Sequence, residues 1–128
     1  MAYLWRQIGS FYYELTTSIP TEYHIAIPDE QRVVLPNFPP IKVYYWNKIS
    51  FELGTTSIIV GNEKVKIYDL EKTICDTIRH RNKIGFDVLK EILKNYIIKK
   101  ERNLNRLDSY AKQLNIFNKV DEFIKILL

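Results

Sequence analysis

Cysteine is nearly absent. The 128-residue chain has one, Cys75, so no internal disulfide can form, and a reducing compartment is expected. Cys75 sits inside a run of helical pattern and reads as a small buried hydrophobe. A nucleophilic thiolate would need an electropositive helix start. Histidine is also scarce. His24 and His80 lie far apart in sequence without metal-ligand spacing, which argues against a zinc site, and His24 on a strand reads as structural. The chain has no G-x-S-x-G and no P-loop. No Asp or Glu is followed two positions later by Lys, as a restriction-like nuclease core would require to hold a metal and activate water. The remaining nuclease-like reading would have to gather Asp69, Asp76 and Glu52. Four Gly and five Pro are too few for a low-complexity linker. No apolar run approaches bilayer length, and Arg6, Gln7 and Glu14 interrupt any signal-peptide core. The expectation is a soluble cytoplasmic protein that is not an enzyme, with no metal, cofactor or membrane partner.

What is present describes a folded domain. Hydrophobic residues make up 46% and charged residues 27%, a globular balance. A chain of this length accommodates a single domain, 1–128, burying about two-thirds of its unfolded surface. The net charge of +4 is unevenly placed: residues 79–106 hold nine Lys and Arg against three Asp and Glu. Such focused positive charge attracts polyanions or an acidic protein.

Periodicity predicts an α+β fold. Leu4, Trp5, Ile8, Phe11, Tyr12 and Leu15 have helical spacing, predicting an N-terminal helix over 1–15. Residues 22–28 and 41–46 alternate like half-buried strands. Residues 56–60 and 64–68 flank Gly61-Asn62-Glu63 as a hairpin. These make a sheet region, 22–68, of about four short strands. A helical region, 69–128, follows with four helices packed on the sheet. The first has Asp69 as N-cap and one apolar stripe of Leu70, Ile74 and Ile78. Gly85 is expected to let the chain turn into the next helix. The others are marked by Phe86, Leu89, Leu93, Tyr96 and Ile97; by Leu104, Leu107, Ala111 and Leu114 with Asn103 as cap; and by Phe117, Val120, Ile124 and Leu127.

The run DLEKTICDTIRHRNKIGFDV (69–88) resembles the central motif of the AbiEi-type antitoxin family, in its C-terminal domain. LTTSIPTEYHIAIP (15–28) is similar to that domain's first strand, and ERNLNRLDSYAKQLNIFNKV (101–120) to its late helices. Three segments in the right order cover nearly the whole chain. The resemblance implies an antitoxin of a type IV toxin–antitoxin, phage-abortive-infection system. Its counterpart would be a nucleotidyltransferase-like toxin, counteracted with or without direct binding. The family's N-terminal winged helix, which represses its own operon, has no counterpart in residues 1–20.

Two basic runs are the candidate binding residues. Arg79, His80, Arg81, Asn82 and Lys83 form one, suited to phosphate or carboxylate recognition. The plainer reading of that turn is helix C-capping, with Asp76 pairing to Arg79 or His80. Lys99, Lys100 and Arg102, with Arg106 beyond, form the other, and Lys90 and Lys94 would extend it. These cations suit an antitoxin surface, or alternatively a nucleic-acid-binding transcriptional regulatory module with salt-dependent affinity. The aromatics Tyr12, Tyr13, Tyr23, Tyr44, Tyr45 and Trp46 read as core or interface packing rather than a base-stacking platform.

Overall fold

The computed structural model describes residues 3, 4, 15, 23–31 and 40–127. Most of the expected N-terminal helix therefore lies outside the described residues. Near its start the structure departs from expectation: Tyr3–Leu4 form a strand, β1. β1 pairs antiparallel with β2 (Tyr23–Pro28) and in parallel with β5 (Glu63–Tyr68). Helical spacing carries no trace of this, because the backbone partners lie far along the chain.

β2 runs parallel to β3 (Ile41–Trp46) in an unbroken register from Tyr23↔Ile41 to Pro28↔Trp46. β4 (Thr55–Val60) pairs with β5 as a hairpin. Gly61 has φ 63° and Asn62 is not among the positive-φ residues, the signature of a two-residue type II′ loop with Gly first. Among the described residues the strands join one sheet in the order β3-β2-β1-β5-β4, in which β1 links the β2–β3 pair to the hairpin.

A one-turn helix, α1 (Lys48–Glu52), interrupts the expected sheet region. Asn47 starts it by accepting the Ser50 N–H at 2.9 Å. One turn is too short to leave a periodic signal. Four helices follow, as expected: α2 (Leu70–Arg79), α3 (Phe86–Ile97), α4 (Leu104–Gln113) and α5 (Phe117–Leu127), with a 3₁₀ turn at Arg81–Lys83. Asp69 and Asn103 cap α2 and α4, each accepting a main-chain N–H at 2.9 Å. Asn115, at φ 59°, ends α4. The bonds Ile116 N–H to Ala111 O (2.9 Å) and Asn115 N–H to Lys112 O (3.2 Å) complete a Schellman motif there. Gly85 stands where the chain turns into the next helix, as expected: it is the N-cap of α3, at an ordinary φ of −66°. The 3₁₀ turn is what ends α2.

Two cores flank α2. Ile74, Cys75 and Ile78 pack with Leu89, Leu93, Tyr96, Leu107 and Val120 of the later helices. Ala26, Tyr44, Trp46, Phe51 and Tyr68 form the second core against the sheet. The sequence expectation of one buried stripe is thereby corrected, since every residue from Leu70 to Ile78 is buried. A helix caught between two layers has no solvent face to give its polar residues.

Candidate functional site

The charged side chains of α2 point into the protein. Lys72 and Asp76 are fully buried and lie 2.8 Å apart. Lys72 Nζ also donates to Ser50 O at 2.7 Å and sits 3.8 Å from the Tyr68 ring centroid and 4.7 Å from that of Trp46. Burial lowers the Lys72 pKa and raises that of Asp76, with their mutual attraction working against both shifts. Asp69 accepts the Lys72 N–H through Oδ1 and the Tyr110 hydroxyl, at 2.7 Å, through Oδ2. Glu71 Oε2 accepts from the Tyr96 hydroxyl and the Asn103 N–H, each at 3.0 Å. The motif that dominates the sequence is therefore a brace that ties α2 to α1, α3 and α4.

The first basic run divides. Arg79 turns inward: its guanidinium lies 4.6 Å from the Trp46 centroid, donates to Ser50 Oγ at 2.6 Å and stands 3.5 Å from Asp76. The His80 ring is 5.7 Å from Tyr44 and 5.8 Å from Trp46, parallel to the indole within 10°. Arg81 is half-buried and donates to Ile78 O at 3.0 Å, closing the end of α2. Asn82 and Lys83 are exposed. Lys83 Nζ lies 5.0 Å from the Tyr44 centroid, and Lys42 of β3 approaches the same ring at 5.9 Å.

The second basic run sits elsewhere. Arg106 stands 3.6 Å from Glu71, in the first turn of α2, whereas Arg81–Lys83 follow its last residue. A ten-residue helix separates these ends by about 15 Å. Lys99 is half-buried, while Lys100 and Arg102 are exposed. Lys100 and Arg102 border an open cavity of about 500 Å³ with Glu101, Asn103, Leu104 and Asn105.

Sequence reasoning missed three cations that lie beside residues of the first run. Lys42 of β3 shares the Tyr44 ring with Lys83. Lys112 and Lys119 join Arg81 around an open cavity of about 520 Å³, also lined by Asn115, Ile116, Phe117 and Asn118. They are single lysines scattered along the chain, so no local signal marks them. Lys119 is 3.5 Å from Glu122, and Lys112 lies 5.1 Å from the Phe117 centroid.

Of the aromatics, Tyr44 and Trp46 are buried and Tyr45 is 41% exposed. His24 is buried, with Nδ1 3.0 Å from the Tyr44 hydroxyl. Tyr12, Tyr13 and the Tyr23 side chain lie outside the described residues. Among the described residues no three His, Cys, Asp or Glu side chains come together as a metal site, and no helix is long and apolar enough to cross a membrane. The chain matches no protein-family model and no curated protein.

Proposed function

We propose that this chain is a non-enzymatic antitoxin module of the AbiEi type, working in the cytoplasm to counteract a nucleotidyltransferase-like toxin. It acts through the basic surface at the exit of α2. The three-segment resemblance supports the reading. So does the division of labour in the motif, where inward charges brace the fold and leave Lys83 and Arg81 at the surface. One observation carries it: Lys42 of β3 and Lys83 approach the same Tyr44 ring from two elements, and among the described residues no salt bridge ties either of them, or Arg81, to a carboxylate. Uncompensated cations on one surface attract an acidic or phosphate-bearing counterpart.

Growth rescue in cells expressing the cognate toxin tests this. The wild-type chain restores growth, and the Lys42→Ala/Arg81→Ala/Lys83→Ala variant restores less at equal abundance. No rescue by the wild type refutes the proposal. A pulldown separates direct binding of the toxin from action on its target.

The second reading, a nucleic-acid-binding regulatory module, is favoured by Lys112 and Lys119 beside Arg81, which lengthen the cationic surface. It predicts affinity for duplex DNA that falls steeply with salt. Removing three phosphate-contacting cations would flatten the log–log salt slope by about 3.

A further inference from the structure

The outer edge of the sheet at β4 carries a feature unrelated to the basic surface. Val60 and Glu63 close the two-residue hairpin loop and so form a hydrogen-bonded pair, from which the pattern alternates along the strand. Thr56, Ile58 and Val60 direct their main-chain groups to β5. Thr55, Ser57 and Ile59 direct theirs to the opposite side, where β4 ends the sheet and, among the described residues, no strand follows. Natural sheets protect such an edge with lysine, proline, a bulge or a covering segment. β4 reads Thr-Thr-Ser-Ile-Ile-Val, with no charge and no proline, and keeps register through every residue. Ile59 on it is 69% exposed.

We propose that this edge pairs antiparallel with β4 of a second copy of the chain, about a two-fold axis at Ser57. Self-complementarity selects that occupant. With Ser57 opposite Ser57 of the second copy, Thr55 falls opposite Ile59 and Ile59 opposite Thr55. Each of these pairs is then the kind that exchanges both of its main-chain hydrogen bonds, so every outward N–H and C=O of Thr55, Ser57 and Ile59 is satisfied. The facing side chains are a small hydroxyl at the axis and β-branched residues beside it, which suit cross-strand packing. No like charges meet across the strand pair, and the interface is isologous and closed, so it makes a dimer rather than a fibre.

Sedimentation equilibrium across the micromolar range tests the pairing. The wild type shows a concentration-dependent monomer–dimer equilibrium. Ser57→Lys and Ser57→Glu each set like charges face to face at the axis and weaken dimerisation at least about tenfold. Mixing the two variants restores a heterodimer, a result that only Ser57 facing itself produces. Ile126→Lys, at a 75% exposed apolar position on α5, leaves the dimer intact. Hydrogen exchange on the wild type reads the same edge without substitutions: the Thr55, Ser57 and Ile59 amides gain protection at high concentration and lose it on dilution. A wild-type monomer throughout, or a mixture no more dimeric than its components, overturns the proposal. So does a monomeric chain whose β4 is taken up only by another protein's extended strand.

Discussion

Lys72 and Asp76 hold opposite charges where no water reaches them, and Arg79 lies against both Asp76 and Trp46. Burying two ions is costly, and their contact offsets the cost only while both are present. Asp76→Ala therefore leaves an ammonium buried without its counter-ion. A loss of about 3–5 kcal/mol is expected in urea unfolding, a large share of the stability of a small domain. Gly54 shows the same closeness in the main chain. It has φ +73°, and a Cβ there would stand 2.6 Å from Lys72 Cβ. Gly54→Ala combines a left-handed backbone with a clash against a fully buried side chain, and a loss of about 2–4 kcal/mol is expected. A melt unchanged by this substitution would contradict the packing described.

At the scale of the element, α2 has two kinds of cation at its exit, although the sequence shows one basic run. Arg79 is engaged with Ser50, Asp76 and Trp46, so Arg79→Ala is expected to destabilise by about 1–3 kcal/mol. Lys83 is exposed, and Lys83→Ala is expected to change stability by less than about 0.5 kcal/mol while reducing toxin rescue. Thermal melts and growth assays run side by side check the contrast. Equal effects of both substitutions on stability would refute the division. The boundaries of α3, α4 and α5 were legible because amphipathic spacing and the Asn103 cap are local. The short α1 and the two-residue β1 were not, because one exists through its cap and tertiary contacts and the other through strands far along the chain.

Across the whole molecule, the core that α2 forms with the later helices holds a thiol and two tyrosine hydroxyls. Burial raises the pKa of Cys75, Tyr96 and Tyr110, and the carboxylates of Glu71 and Asp69 raise Tyr96 and Tyr110 further. The ordinary values are 9.0 for Cys and 10.0 for Tyr. Below them both folded and unfolded chains keep these protons, and the stabilisation is complete. Above them the unfolded chain ionises first and binds fewer protons than the folded one, so stability falls as pH rises. The melting temperature is expected to decline from about pH 9 upward, and more gently in Tyr110→Phe, which removes one of the three groups. An identical alkaline slope in that variant would count against the Tyr110–Asp69 bond as a contributor.

The sequence by itself determined the α+β class, the hairpin, the four C-terminal helices and two of their caps. Apolar periodicity, a Gly-Asn loop and Asp or Asn before a helix act over a few residues. It also marked 69–88 as central. Only the tertiary structure decided what that centre does, because a helix between two layers loses the solvent face that its pattern suggests. Glu71, Lys72, Asp76 and Arg79 look like a charged surface in one dimension and form a buried brace in three. Lys42 looks unrelated to the basic turn and meets Lys83 at the Tyr44 ring, while Lys112 and Lys119 border one cavity with Arg81. Burial and charge proximity are properties of distance through space, which chain order does not encode.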